Sequence, residues 1–333
     1  MQDAAIVILN YNGRKTLQQF LPSVLQYSSF PIIVADNCSE DDSLHYLKSY
    51  AGIRILALNS NFGFAEGYNR ALADLKGSFR HYILLNSDVE VTPGWDKALI
   101  DFLHLHPEYT AVQPKIKSYL AKEYFDHAGA AGGYLDSFGF PYCRGRIFDV
   151  VEKDHGQYDD QVSVDWVSGA CMAVKAEDFH ISGGFDPAFF AHMEEIDLCW
   201  RWRRVGKALA FYSGSVVYHL GGGTLPKNSP RKIYLNYRNN LLMLYKNLDR
   251  KHFTKVYGWR VLFDSAAVFK AGIIGDFPTA KSIVKAHRDF RKMKGNYNQN
   301  GLAPKLPNHQ KNYRMWSIVI EHFLKRKKCY SEL

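Results

Sequence analysis

The sequence contains no run of roughly 18 consecutive apolar residues, the length a helix needs to cross a bilayer. Its strongest candidate, residues 261–274, is broken by Asp264 and Lys270. The apolar run at residues 4–9 is too short for the core of an export signal and lacks a basic flank. The five cysteines (Cys38, Cys143, Cys171, Cys199 and Cys329) are scattered and form no Cys-x-x-Cys pair. That spacing argues against a zinc site or a disulfide framework and points to a reducing cytoplasm. Internal repeats and low-complexity tracts are missing, and so is any RRM, KH, zinc-finger or bZIP signature.

What is present is an ordinary globular composition with an uneven distribution of charge. Apolar residues make up 47% of 333 positions, enough for a large core. Residues 1–230 hold 20 Lys+Arg against 27 Asp+Glu, whereas residues 231–333 hold 22 against 6. A net of −7 followed by +16 divides the chain into an acidic part, 1–230, and a basic part, 231–333, that suits an anionic partner.

In the first part short β-branched runs alternate with amphipathic stretches. Residues 4–9, 32–35, 53–58 and 81–85 read as buried strands; 14–27, 63–75 and 93–106 read as helices, with Ser39 available to cap another between them. This order predicts an α/β fold with a mostly parallel central sheet. Ligands of such sheets bind beyond the carboxyl ends of the strands. Those ends carry Asn10-Tyr11-Asn12, Asp36-Asn37, Asn59-Ser60-Asn61 and Asn86-Ser87-Asp88. Residues 118–162 read as a meandering insertion, 164–173 and 208–218 as strands, and 194–205 as a helix. Beyond residue 230 the pattern is helical at 233–248, 259–274, 279–293 and 313–327, with a loop at 295–308.

Five clusters have chemical potential, and each has a plainer explanation. Asp88, in a turn after a buried strand, offers oxygen ligands to Mg²⁺ or Mn²⁺, or merely closes the turn. Asp36 can accept a hydrogen bond from a nucleobase or ribose, or serve a helix start. Asn61-Phe62-Gly63-Phe64 brings backbone N–H groups to a helix start, where phosphate is favoured; it is neither a dinucleotide fingerprint nor a P-loop. Glu194, Glu195 and Asp197 crowd the first turn of a half-apolar helix, where acids either complement the helix dipole or act as general bases. His219, at a strand end before Gly221-Gly222-Gly223, completes a metal site or is a structural histidine.

In this order, Val7-Ile8-Leu9-Asn10-Tyr11-Asn12, Val34-Ala35-Asp36-Asn37-Cys38-Ser39, Asn61-Phe62-Gly63-Phe64-Ala65 and Leu84-Leu85-Asn86-Ser87-Asp88 resemble the family 2 glycosyltransferases of bacteria. Gly183-Gly184-Phe185-Asp186 and the run from Glu194 to Arg201 extend the likeness over about residues 4–245, nearest to rhamnosyltransferase-type enzymes of surface polysaccharide assembly. The resemblance implies a GT-A fold and inverting transfer from a nucleoside diphosphate sugar to a lipid-linked or oligosaccharide acceptor. It implies a donor site at Asn10, Tyr11, Asn12, Asp36, Asn37, Asn61, Gly63, Phe64, Asn86 and Ser87. It makes Asp88 the metal acid of a degenerate motif, with Asn86 in place of the first acid, and His219 a further ligand for Mg²⁺ or Mn²⁺. It puts Ser168 and Gly169 at the acceptor. Where the family usually has Glu-Asp this chain has Glu194-Glu195, so the base is Glu195, Glu194 or Asp197.

The basic part, with apolar and aromatic residues beside Lys and Arg at 233–248 and 313–327, suits an anionic membrane surface or simply packs on the catalytic part. The first arrangement would place the chain on the inner face of the plasma membrane. Nucleic acid is not an expected partner. The competing functions are nucleic-acid binding through residues 231–333 and sugar nucleotidyl transfer.

Overall fold

The computed structural model describes residues 1–221, 229–297 and 316–333. Its first half builds a sheet from β1 (Gln2–Asn10), β2 (Ile32–Asp36), β3 (Ile53–Ala57), β4 (Phe79–Asn86), β5 (Val89–Val91) and β6 (Tyr109–Ser118). Helices α1 (Arg14–Tyr27), α2 (Ser43–Lys48), α3 (Gly63–Asp74) and α4 (Trp95–Leu105) connect them. A second, four-stranded antiparallel sheet follows, formed by β7 (Gly133–Leu135), β8 (Pro141–Cys143), β9 (Arg146–Ile147) and β10 (Val150–Val151). The chain then returns through β11 (Gln161–Ser163), β12 (Cys171–Lys175), α5 (Ala176–Ile181), α6 (Glu194–Arg204) and β13 (Ala208–His219). Three helices come last: α7 (Pro230–Asn247), α8 (Arg250–Ile273) and α9 (Phe277–Met293).

The main sheet has the order β11-β13-β6-β12-β4-β1-β2-β3, with β5 paired to β13. Of its nine strands, β1, β2, β3, β4, β6 and β13 run one way, and β5, β11 and β12 run against them. The sheet is therefore mostly parallel, as the alternation of strand and helix requires. Ala4–Ile8 of β1 and Tyr82–Leu85 of β4 are buried, which is why both read as continuous apolar runs. On one face Ala5, Val7 and Leu84 pack with Ala65, Tyr68 and Leu72 of α3. On the other, Ile6, Ile8 and Leu85 pack with Leu17, Leu21 and Val24 of α1 and Leu99 and Leu103 of α4. The 3–4 residue spacing in each helix is the amphipathic stripe that this burial demands.

Three local expectations change. The strand expected over 164–173 begins only at Cys171, because the backbone of 168–170 turns back to the end of β4: Asn86 N donates to Ala170 O at 2.9 Å. Ser39 caps no helix; its hydroxyl donates to Asp36 at 2.7 Å and accepts from Asn12 N at 2.9 Å. Of the helix expected over 313–327, residues 313–315 lie outside the described residues. The remainder contains one π-helical turn, Ile320–Leu324. The loop expected at 295–308 likewise lies outside the described residues from 298 onwards.

The division at residue 230 does not coincide with a break in packing. Asn240 in α7 donates to Gly139 O at 2.7 Å, and Lys246 pairs with Asp186 and Asp197 at 2.6 and 2.8 Å. Thus α7 is part of the wall behind the acidic helix, although sequence charge assigns it to the basic part.

Candidate active site

The strand-end loops of β1, β2 and β3 are tied to one another by side chains. Asp36 is fully buried; it accepts from Asn10 Nδ2 at 2.9 Å and from the Ser39 backbone at 2.8 Å. Asn12 takes a left-handed backbone (φ 49°) and accepts from Glu40 N at 2.8 Å, while Tyr11 beside it is exposed. Asn37 donates to Asn61 Oδ1 and Gly63 O at 3.1 and 3.0 Å and accepts from Phe62 N at 3.0 Å. The residues expected at the donor site therefore converge, and in this ligand-free chain Asp36 and Asn37 hold the loops in place.

The β3–α3 loop also meets the segment before α6. Phe190 O accepts from Phe64 N at 2.7 Å. Gly63 has φ +75°, and a Cβ there would lie 2.6 Å from the Phe190 ring, so glycine serves both the left-handed turn and the close approach. Phe190, His192 and Met193 themselves all have positive φ, an uncommon cluster for non-glycine residues. Asn239 of α7, fully buried, donates to the carbonyls of Phe189, Ala191 and His192 at 2.9, 2.9 and 2.7 Å. It holds the strained segment that delivers the acidic helix.

At that helix the three candidate acids separate. Asp197 is fully buried, with Oδ2 bonded to Arg201 Nε at 2.9 Å and Lys246 Nζ at 2.8 Å, and Oδ1 bonded to Asn247 Nδ2 at 2.9 Å. Both oxygens are committed to cations and amides, so Asp197 is an ion-pair anchor rather than a base. Glu194 and Glu195 each have an enclosed Oε2 with no hydrogen-bond partner. Burial pushes the proton affinity of both upward. Glu194, wholly buried and facing the charge of Glu195, rises well above the usual carboxylate range; Glu195 rises to about 7. Glu195 is half-buried, and its Cβ lies near where a Cβ on Gly169 would sit, 3.8 Å away, with the Phe64 ring on the same glycine at 3.4 Å. Next to them His192 has its Nε2 enclosed without a partner; burial and then Lys232 lower it to about 4, so it is neutral near pH 7.

Ser168 is turned inward. Its hydroxyl accepts from Ala170 N at 3.2 Å and its own N–H donates to Gln113 at 3.0 Å, leaving Gly169 as the neighbour of Glu195. The turn it shapes is fastened to Asn86. Ser87, in turn, lies 3.9 Å from the position of a Cβ on Gly13.

After that turn, Asp88 and His219 come together, brought side by side by pairing of β5 with β13. His219 Nε2 lies 3.2 Å from Asp88 Oδ1, and its Nδ1 lies 2.9 Å from Asp126 Oδ1, all three groups being buried. Burial alone would strip the imidazole of its proton. The two carboxylates outweigh it and raise His219 to about 10, so in the metal-free chain it is a cation between two anions. The same His219 bond holds Asp126 below the usual carboxylate range against burial. An Nδ1–H held by a carboxylate, with Nε2 directed at a second carboxylate, is the arrangement that presents a histidine to a metal. Asp88 and His219 thus offer a carboxylate oxygen and an imidazole nitrogen that would suit a divalent cation. Gly222 and Gly223 lie outside the described residues. Asp3, His81 and His104 also bring ligand-type atoms within 4.8 Å of one another, but near the opposite ends of β1 and β4.

Asp126, His192 and Asn239 carry much of this geometry without having been assigned a role from sequence. Asp126 sits in the irregular glycine-rich stretch and has no strand-end signal. Asn239 had one: asparagines at 236, 239 and 240 inside a helix are poor helix formers and need another reason to be there.

In sequence and in fold the chain is similar to known glycosyltransferases. The family model described as glycosyl transferase family 2 matches residues 5–153. An N-acetylglucosaminyl-diphospho-decaprenol L-rhamnosyltransferase of Mycobacterium tuberculosis is 27% identical over 238 residues, 66% of this chain and 76% of its own. The crystal structure of GalNAc-T7 with UDP, GalNAc and Mn²⁺ superposes with a TM-score of 0.59 at 17% identity, covering 92% of this chain and 59% of that one. The mannosyltransferase PcManGT of Pyrobaculum calidifontis, in complex with GDP-Man and Mn²⁺, gives 0.53 at 12% identity over 88% of this chain and 83% of its own. The chain therefore spans well under two thirds of GalNAc-T7, and at these identities the two structures speak to the GT-A fold alone.

Proposed function

Because the chain is a glycosyltransferase with a family 2 domain over residues 5–153, we propose that it transfers a sugar from a nucleoside diphosphate donor to a lipid-linked acceptor, with inversion, in the assembly of a surface glycan. The observation that carries this reading is the pair of acids Glu194 and Glu195, each with an enclosed Oε2 that has no hydrogen-bond partner, held beside the loop that ends in Phe64. Unpaired buried carboxylates are costly, and such strain concentrates where chemistry is done.

In this mechanism the loops ending β1, β2 and β3 seat the nucleotide through Asn10, Asp36, Asn37 and Asn61. Tyr11 and the β3–α3 backbone cover it. A divalent cation, Mg²⁺ or Mn²⁺, held by Asp88 and His219 would offset charge developing on the leaving diphosphate. Glu195 takes the proton of the acceptor hydroxyl as that oxygen attacks the anomeric carbon, and the diphosphate departs from the opposite face. Single displacement inverts the anomeric centre. Glu194 stays protonated and reduces the charge that Glu195 must face. Gly169, without a side chain, leaves room for the acceptor beside Glu195. The lipid-linked acceptor is argued from the mycobacterial relative, an N-acetylglucosaminyl-diphospho-decaprenol L-rhamnosyltransferase, and such an acceptor would have the chain work at a membrane surface.

The test is donor turnover across a panel of nucleoside diphosphate sugars with Mn²⁺. Asp88→Ala should lower turnover by at least 100-fold, on the order expected for losing a major electrostatic stabiliser. Full turnover of Asp88→Ala after thorough chelation would remove the metal from the mechanism. Release of pyrophosphate from a nucleoside triphosphate would replace the whole reading with nucleotidyl transfer.

A further inference from the structure

α8 turns one face into the fold and carries an apolar stripe along the opposite face, which the described residues leave exposed. Phe253, Arg260, Asp264 and Ala271 are its buried residues, and they lie on one side of the helix. Trp259, Leu262, Phe269 and Ile273 follow at spacings of three, seven and four on the other side, 44, 58, 72 and 69% exposed. Ile274 and Phe277 continue the exposed stripe past the end of the helix. Single exposed apolar residues are unremarkable on a protein surface, but a stripe along a 24-residue helix marks an interaction site.

The surroundings of the stripe indicate what covers it. Its first turns carry Lys251 and Lys255, and Lys270 flanks its far end, all exposed. The one acid of α8, Asp264, is buried on the opposite face and engaged by Arg260 and His287. The chain's terminal segment widens the same surface. Trp316 lies 6.5 Å from Trp259, Lys270 sits 5.7 Å from the Phe323 ring, and Leu324, Arg326 and Lys328 are exposed. A second copy on this face would bring like charges together, whereas anionic headgroups would meet the lysines as the apolar stripe enters the acyl boundary. Tryptophan and phenylalanine beside Lys and Arg suit the headgroup level. Among the described residues no helix is long and apolar enough to cross a membrane, so the face would lie along the bilayer.

We propose that the outward face of α8, with Trp316, Phe323 and Leu324 beside it, is a docking surface for an anionic lipid bilayer. This shifts the contact expected from sequence. Of the two alternatives open for α7, membrane contact or packing on the catalytic part, it takes the packed one, and α8 joins the terminal segment at this surface. The inference rests on the lipid-linked acceptor reading for its purpose and on the helix face for its evidence.

The experiment is co-sedimentation of the full chain with vesicles of phosphatidylcholine alone or with phosphatidylglycerol, at low and high salt. Binding is expected only with phosphatidylglycerol, weakened by salt, and at least tenfold weaker in the double variant Phe269→Ser, Ile273→Ser. Both positions are exposed, so folding should survive, and a thermal shift with UDP and Mn²⁺ should match that of the unaltered chain. No binding to either vesicle, or binding untouched by the double variant, would overturn the proposal. A dimer that the double variant converts to monomer would overturn it in favour of a second copy. Failure of the unaltered chain to bind any nucleoside diphosphate of a panel that includes UDP and GDP, with vesicle binding intact, would instead count against the glycosyl-transfer reading.

Discussion

Replacing Glu195 by glutamine should make the protein more stable at alkaline pH while removing most of its activity. The side chain keeps its shape and loses its charge. In the folded chain burial raises Glu195 from an ordinary 4.5 to about 7, the first cause being desolvation. Between those two values the folded state holds a proton that the unfolded state has released, so stability falls as pH rises through the window and levels off above it. At about 1.4 kcal/mol per tenfold change in proton affinity, the ionised group withholds on the order of 3 kcal/mol above pH 7. The glutamine variant does not incur that loss. The two proteins should differ little at pH 4.5 and diverge towards pH 8, where the variant leads by about 1–3 kcal/mol, roughly 1–4 °C in Tm for a chain of this size. Chelator-treated protein unfolded in urea at pH 4.5, 6 and 8 provides the measurement, and excludes any contribution from bound metal. Stability curves that run parallel across this range would refute the raised proton affinity and, with it, the assignment of Glu195 as base. Turnover should fall by about 10²–10⁴-fold, the usual contribution of a positioned base, and in the unaltered enzyme it should rise with pH through about 7.

Other residues give sharper contrasts. Asp197→Ala should destabilise by about 1–3 kcal/mol in the same urea assay, because half-buried Arg201 and Lys246 and buried Asn247 all lose their bond to it, Lys246 keeping only Asp186; a stability unchanged from the parent would show the cluster to be dispensable. Asp126→Asn should weaken Mn²⁺ binding by about 10–100-fold, read from the free-ion electron paramagnetic signal, since His219 loses the group that fixes its Nδ1; unchanged affinity would mean that His219 is no ligand. Gly63→Ala should cost about 1–3 kcal/mol and weaken donor binding, because φ +75° and the Phe190 ring both exclude a Cβ. An unaffected variant would show that the β3–α3 loop moves freely against the segment before α6.

Much of the framework is legible in the chain because strand and helix periodicities are local. Residues 4–9 and 81–85 announce buried strands by their continuous β-branched and apolar side chains, and both belong to the strands observed. The polar loops that end them follow directly, since a parallel sheet gathers strand ends on one edge. β6 carries Pro114 and Lys115 and resembles no buried strand, yet β12 and β13 flank it and satisfy its backbone. Residues 164–170 look like a strand and are not one, because a turn there is needed to reach Asn86.

The chemistry of the acidic helix shows where local reading stops. The sequence places Glu194, Glu195 and Asp197 within one turn of helix, and nothing in that spacing ranks them. Only packing separates them: Lys246 and Asn247 arrive from α7, about 50 residues later, and bind both oxygens of Asp197, while Glu194 and Glu195 each keep an enclosed Oε2 without a partner. His219 likewise reads from sequence as either a metal ligand or a structural histidine, and it is Asp126, 93 residues earlier, that takes its Nδ1 and turns its Nε2 to Asp88. What the sequence by itself determined was the order of strands and loops, and so the edge of the sheet at which their polar ends gather. What the tertiary structure decided was which acids are free to react and which are spent on holding the fold, because proton affinity depends on neighbours distant along the chain and on the water they exclude.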